Sequence, residues 1–392
     1  MAARRRHVLI GLPTGLWAGA QVQTRVLAQA LLGGGYSVTV CCYHDYDGGV
    51  LDSIERTGAK VRVLELPRRR KMAFVGCVPS LANAMARAIR LERPEFLHVQ
   101  YVEMGLLPLV MGRLHGCPHV LATIHFTIER YRDRAWVARY LAASLSHVLL
   151  FVSRAAEESF FGHSDIFEEG LYLAGRRHFA IPNCIDLDEI DRIRGRADPA
   201  ALRRQLGLAG CKVIGMVGRL RPVKGHGLLL QAMPAILKAV PDAKVLLIGT
   251  GPDRDRGKLH VQARELGIDG AIVWAGERPR HEAVQLMTAM DVVAVPSRSE
   301  AFGLSAAEAM ALGKPVVGTD IPGLREVVEH NVTGLLASQT EPDALARAVV
   351  SVLADGAASE RMGAAGRRRV ERLFSMGLYA DRILRLYRML GR

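Results

Sequence analysis

The sequence predicts an α/β protein made of two doubly wound, Rossmann-like domains, and three observations carry that expectation. Short β-rich apolar runs without polar alternation recur between helical patterns, as in strands of a parallel sheet covered on both faces. That alternation runs twice, with a charged stretch containing Pro199 and several Gly between the two series, from Asp186 to Gly210. The chain has 392 residues, 49% of them hydrophobic, enough for two domains or three, each with its own core.

The elements follow in order. His7–Leu12 reads as a strand, Gln21–Leu32 as a helix, Gly33–Gly35 as its stop, and Ser37–Tyr43 as the next strand. Further strands are expected at Val61–Leu66, Phe96–Gln100, Val120–Ile124, His147–Val152 and His178–Ile181, with helices at about Val78–Leu91, Gly105–His115 and Ala135–Ala143. Asp186–Gly210 reads as a connection. The second series has strands at Val213–Val217, Val245–Ile248, Ile272–Trp274, Val292–Pro296 and Pro315–Gly318. Its helices fit Gly227–Ala239, Lys258–Leu266, His281–Ala289, Ser305–Leu312 and Glu341–Ala354. The division is residues 1–185 and 186–376, with a C-terminal helix at about 377–392 packing back on the first domain. Open sheets of this kind bind ligands at the carboxyl ends of their strands, so a cleft between two facing domains is the expected place for chemistry.

Composition narrows the class. The apolar fraction and 39 glycines exclude disorder, collagen-like repeats and a disulfide scaffold. No pair among the six cysteines has CxxC spacing, and Cys41 and Cys42, adjacent in a strand, face opposite sides, so reduced, mostly buried thiols are expected. The N-terminus starts basic, but Pro13, Thr14 and Gly15 interrupt its apolar run, which argues against an export signal. No uncharged apolar run reaches the ~18 residues of a membrane span. The expected location is therefore cytoplasmic, with peripheral contact at the inner face of the membrane left open. The formal charge of +13 comes from 52 basic against 39 acidic residues, and 44 of the 52 are Arg, a bias that fits a GC-rich genome. Residues 1–93 carry 14 basic against 6 acidic, residues 94–200 carry 11 against 14, and residues 201–392 carry 27 against 19. No RNA-recognition module or aromatic-basic platform accompanies the charge, so nucleic acid is not an expected partner.

Two strings carry the chemistry. Gly218-Arg219-Leu-Arg-Pro-Val-Lys224-Gly225 follows a strand, and its Arg fork and Lys point charge suit a diphosphate. It is not the GxxxxGK loop of nucleotide hydrolases. The second string runs from Val295 to Val317. It places Glu300 after a strand, Phe302, Gly303 and Leu304 at the start of a helix, and Glu308 about one turn inside. The amides and dipole of that helix start suit phosphate, and two carboxylates there suit vicinal hydroxyls of a ribose or hexose.

Together these strings resemble retaining nucleotide-sugar glycosyltransferases of family 4, which have the GT-B fold. The resemblance covers most of the chain and is strongest from Gly218 to Leu335. It implies that Arg219 and Lys224 neutralise the donor diphosphate and that Glu308, second in the family's E-x7-E motif, binds the ribose. It assigns Glu300, the first Glu, to hydroxyls of the transferred sugar, helped by the amides of Phe302 to Leu304. His125, ending the run Ala122-Thr-Ile-His125, stands where the family keeps a His beside the reacting sugar. Gly19 matches a glycine of the first βα loop, while Ala20 stands where a second Gly is common. Ile181-Pro-Asn183 resembles the interdomain segment, with Cys184 in place of a frequent Gly.

The implied reaction transfers a hexose or N-acetylhexosamine with retention from a nucleoside diphosphate sugar, UDP-sugar favoured, to a small hydroxylated acceptor. Asp45-Tyr-Asp47, Asp186-Leu-Asp188 and Asp253-Arg-Asp255 match the DxD pattern of metal-dependent transferases. Three matches in one chain make that pattern uninformative, and with Arg219 and Lys224 present no metal or other cofactor is expected. Gly249-Thr-Gly251 lacks the third glycine of a dinucleotide fingerprint. A sugar-nucleotide 2-epimerase shares the two-domain form, but the E-x7-E string favours glycosyl transfer. The acceptor is expected against Tyr101, Glu103, Arg130 and Tyr131. A lipid-linked acceptor, with Arg68–Lys71 resting on anionic phospholipid, and a non-catalytic nucleotide-sugar sensor remain alternatives.

Overall fold

The computed structural model describes residues 6–15, 19–44, 46–64, 66, 74–100, 106–128 and 135–392, without the side chains of 74–78 and 135–139. The chain divides into two compact units, Met1–Cys184 with Met376–Arg392, and Ile185–Ser375.

In the first unit the strands are β1 (His7–Leu12), β2 (Ser37–Cys42), β3 (Lys60–Val63), β4 (Phe96–Gln100), β5 (His119–Ile124), β6 (Val148–Phe151) and β7 (His178–Ala180). The helices between them are α1 (Gly19–Gly33), α2 (Gly48–Glu55), α3 (Phe74–Glu92), α4 (Leu106–Leu114), α5 (Ala135–Leu145), α6 (Arg154–Phe161) and α7 (Glu169–Leu173). The strands pair in parallel in the order β3-β2-β1-β4-β5-β6-β7. Their apolar runs are buried throughout β1, β4 and β6 apart from His7, as a sheet covered on both faces requires.

The second unit holds β8 (Lys212–Val217), β9 (Ala243–Ile248), β10 (Ile272–Gly276), β11 (Val292–Val295), β12 (Val316–Thr319) and β13 (Gly334–Ala337), parallel in the order β10-β9-β8-β11-β12-β13. Its helices are α8 (Leu187–Arg196), α9 (Pro199–Gln205), α10 (His226–Ala239), α11 (Asp253–Glu265), α12 (Arg280–Met287), α13 (Leu304–Ala311), α14 (Pro322–Val327), α15 (Pro342–Ala354) and α16 (Gly356–Leu373). The expected two-sheet α/β class holds in both halves.

The stretch 186–210 is not the connection expected from its charge. It forms α8 and α9. Asp186 Oδ1 accepts from the Glu189 N–H at 3.0 Å, and Asp198 Oδ1 accepts from the Ala201 N–H at 3.0 Å, ahead of Pro199 in the first turn. Arg367 of α16 then forks onto Asp191 at 3.0 and 2.7 Å, tying α8 to its own unit. The short strand β13 and helix α14, absent from the expected series, complete the sheet edge.

The last helix, α17 (Met376–Leu390), returns to the first unit. It packs on α1, with Tyr387 fully buried against Tyr36 and Phe96 at ring distances of 5.6 and 4.8 Å. The Tyr36 contact is edge-on, a geometry that adds about 1 kcal/mol beyond the area buried. Among the described residues, no helix is long and apolar enough to cross a membrane.

Candidate functional site

Each sheet reverses its winding once, between β1 and β4 and between β8 and β11. Loops leaving the carboxyl ends of those neighbours turn to opposite faces, and a crevice opens between them. In the second unit the two strings singled out from the sequence are those loops: 218–225 follows β8 and 296–303 follows β11.

Backbone bonds shape the first loop. Gly218 N–H donates to Ile248 O and Leu220 N–H to Thr250 O, both at 2.9 Å, so the Gly249-Thr-Gly251 turn supports it rather than serving as a fingerprint fragment. Gly225 has φ +77°, and a Cβ there would lie 1.7 Å from Pro296 O, so glycine is needed for the loop to meet the end of β11. Arg298 N–H then donates to Val223 O at 2.8 Å, joining the two loops.

This junction brings Lys224 Nζ to 2.6 Å from Glu300 Oε1, and Ser297 Oγ donates to the same oxygen at 2.8 Å. Glu300 is 10% and Lys224 28% exposed, so the pair is shielded enough to be worth more than a surface salt bridge yet open to a ligand. Arg219 lies on the same loop, exposed, without an ion pair to the described residues.

The helix after Glu300 starts at a left-handed Gly303, φ +97°, behind a buried Phe302 that packs edge-on against Phe374 at 5.1 Å. Leu304 is the first helical residue, and Glu308 lies one turn on. Glu308 meets Arg280, whose Nε and Nη2 lie 3.1 and 3.0 Å from Oε1, while Arg280 Nη1 lies 2.6 Å from Glu189 Oε2. Burial disfavours the guanidinium charge, but Glu308 and Glu189 outweigh it and hold the Arg280 pKa above its ordinary value.

His226 opens α10 directly after Lys224-Gly225. It is 2% exposed, and neither ring nitrogen has a hydrogen-bond partner among the described residues. Burial, with the Lys224 charge, pushes its pKa down to about 4, so the ring is neutral at pH 7.

In the first unit His125 follows β5, and its Nε2 lies 2.7 Å from Gln100 Oε1 at the end of β4. The residue keeps some surface exposure while its ring is surrounded, and burial pushes its pKa down to about 3. Behind it, fully buried His98 lies 2.8 Å from the Tyr387 hydroxyl and 2.7 Å from Thr123 Oγ1. Burial and then His125 push its pKa to about 3 as well. Gly19 opens α1, next to the undescribed residues 16–18. Tyr101, Glu103, Arg130 and Tyr131, and the basic run 68–71, lie outside the described residues.

Lys224 and Glu300 therefore touch, Glu308 stands on the following helix, and Arg219 shares the loop without joining the cluster. Sequence reasoning passed over Ser297, Arg280, Glu189 and His226, and placed Gln100 only at the start of a stretch facing the acceptor. Ser297 stood inside the second string, three residues before Glu300. Arg280 and Glu189 have no local signal, since their partners are 28 and 91 positions apart in the chain.

Comparison with known proteins identifies the family. Residues 18–164 match the family described as "Glycosyl transferase 4-like domain" and residues 200–369 the family described as "Glycosyl transferases group 1". A 2-deoxystreptamine glucosyltransferase of Streptomyces kanamyceticus is 32% identical over 317 residues, covering 76% of this chain and 80% of that protein. A D-inositol 3-phosphate glycosyltransferase of Corynebacterium urealyticum is 44% identical over 159 residues, covering 39% of this chain and 38% of that protein. The matches to this and similar inositol phosphate enzymes thus span about two fifths of their length. HepE of Anabaena, solved in complex with UDP and glucose, superposes with a TM-score of 0.82 over 98% of this chain and 100% of that one, at 22% identity. The chain belongs to glycosyltransferase family 4 and has the GT-B fold.

Proposed function

We propose that the chain transfers a hexosyl or N-acetylhexosaminyl group from a nucleoside diphosphate sugar to a hydroxyl of a small polar or sugar-like acceptor. In this reading the donor is a UDP-sugar, the anomeric configuration is retained, and no metal takes part. The observation that carries it is the Lys224–Glu300 pair at the winding reversal of the second sheet, with Glu308 on the next helix. A cation for phosphate meets a carboxylate for sugar hydroxyls, and a second carboxylate, for a ribose, stands on the helix that follows. The names of the relatives, for D-inositol 3-phosphate and 2-deoxystreptamine, support a small ring acceptor bearing hydroxyls.

On donor binding Lys224 gains phosphate oxygens, and Glu300, held through Oε1 by Ser297, offers Oε2 to hydroxyls of the sugar. The acceptor oxygen bonds to the anomeric carbon as the bond from that carbon to the β-phosphate oxygen breaks on the same face. The acceptor proton passes to the departing phosphate oxygen, giving a glycoside and a nucleoside diphosphate. Lys224, Arg219 and the α13 amides compensate the charge that develops. His125, neutral at pH 7, is assigned a hydrogen bond to the transferred sugar rather than a base.

Mass spectrometry of pooled UDP-, GDP- and dTDP-sugars with soluble and lipid acceptor pools tests the reading. A hexosylated soluble product made from a UDP-sugar is expected, with activity unchanged by EDTA. Donor binding with neither transfer nor hydrolysis would make the chain a sensor. Transfer to lipid alone would move the acceptor to the membrane, and an inverted anomer by NMR would remove retention. EDTA inhibition reversed by Mg²⁺ would bring in a metal.

A further inference from the structure

A carboxylate that binds a vicinal diol gains little if its side chain must first be ordered, because a free Glu samples many rotamers. Glu308 is not free in this chain. Arg280, the first residue of α12 and 10% exposed, places two N–H groups on the same Glu308 oxygen, Oε1, at 3.1 and 3.0 Å. Oε2 takes no partner among the described residues. The third edge of the guanidinium lies 2.6 Å from Glu189 Oε2, in the first turn of α8, whose Asp186 cap fixes that helix start. One buried cation is thus shared by two carboxylates from different helices. Bound to Glu308 alone, it would cancel the charge that makes Glu308 a strong acceptor. Shared with Glu189, it leaves the cluster with a net negative charge.

Resting on the reading of Glu308 as the ribose ligand, we propose that Arg280 is a positioning residue for nucleotide recognition. It aims Glu308 Oε2 at the ribose hydroxyls, and Glu189 is the counter-charge that keeps Glu308 a strong acceptor. Neither residue touches the ligand. Selectivity for a ribonucleotide over its deoxy form would then be set from three helices, α8, α12 and α13.

Calorimetric titration of the full chain with UDP, GDP and their 2′-deoxy and 3′-deoxy forms tests this, using whichever of UDP and GDP binds the unchanged protein more tightly. The unchanged protein should prefer that ribonucleotide about tenfold, as expected when one hydrogen bond to a charged group is lost. Arg280→Gln should weaken the ribonucleotide about tenfold and the deoxy forms less than twofold, so that the preference collapses. Arg280→Lys, which keeps the charge but loses the fork, should fall between. Arg280→Gln leaves two carboxylates facing each other, so Arg280→Gln/Glu189→Gln should recover thermal stability without recovering ribose preference. A purely structural role would recover both and overturn the proposal. So would an Arg280→Gln protein that keeps its preference while Glu308→Gln loses it. If Glu308→Gln keeps the preference, or neither UDP nor GDP binds, the ribose reading itself falls and takes this one with it.

Discussion

The two units use the same parallel architecture but, among the described residues, treat polar groups in opposite ways. In the first, the polar side chains behind His125 are neutral and tied into a buried chain of hydrogen bonds, with His98 joined to Thr123 and Tyr387. In the second, charges stand in matched sets: Lys224 with Glu300, and Arg280 with Glu308 and Glu189. A sheet switch point offers only a crevice, and the side chains at its rim decide what enters. Charged side chains suit a nucleoside diphosphate, while neutral ones such as His125 and Gln100 suit uncharged hydroxyls.

The contrast breaks most sharply at Lys224. Lys224→Ala should lower kcat/KM roughly 10²–10³-fold, the size expected for losing one stabiliser of developing charge. His125→Ala should cost about tenfold, the scale of one neutral hydrogen bond. Steady-state kinetics showing equal losses for the two would end the distinction between charged and neutral groups.

Acid probes the neutral side. The folded pKa values of His98 and His125, both about 3, lie below the ordinary 6.5, so the unfolded chain binds more protons between those limits. Stability therefore falls as pH drops below 6.5. A fully buried neutral imidazole costs about 2 kcal/mol by pH 5. Urea midpoints by circular dichroism at pH 7 and pH 5 should separate accordingly, and His98→Gln should shrink the gap. An unchanged gap would mean that His98 is not the group titrating.

The smallest effect is expected at Tyr387→Phe. Losing the hydroxyl on His98 should cost about 1 kcal/mol of stability. Nucleotide affinity should stay constant, because the charged rim is in the other unit. A shift in UDP affinity measured by calorimetry would couple the two networks and blur the comparison.

Much of this was legible in the residues. Apolar strands such as Phe96–Gln100 and His7–Leu12 declared themselves because a fully buried parallel strand leaves no polar alternation. The 218–225 and 295–308 strings stood out because glycine, Lys and Glu types sit at strand-to-helix joints. Helices α8 and α9 were hidden by their charge, although Asp186 with Glu189 three positions later is a helix-start signal that outranks composition. β13 was too short, at four residues, to show a period. Arg280 and His226 were invisible for a different reason: one acts through a residue 28 positions away, and the other matters only because it is buried.

The return of α17 to the first unit has a consequence for biosynthesis. Residues 185–375 form the second unit from one unbroken stretch, so it has all its parts before α17 is made. The first unit is begun earlier but waits for the fifteen residues of α17 to cover Tyr36, Phe96 and the face of α1. Domains fold as units during synthesis. Residues 1–184 thus leave the ribosome with apolar surface that stays uncovered while the whole second unit is made, and that interval is when a nascent-chain chaperone has most to hold.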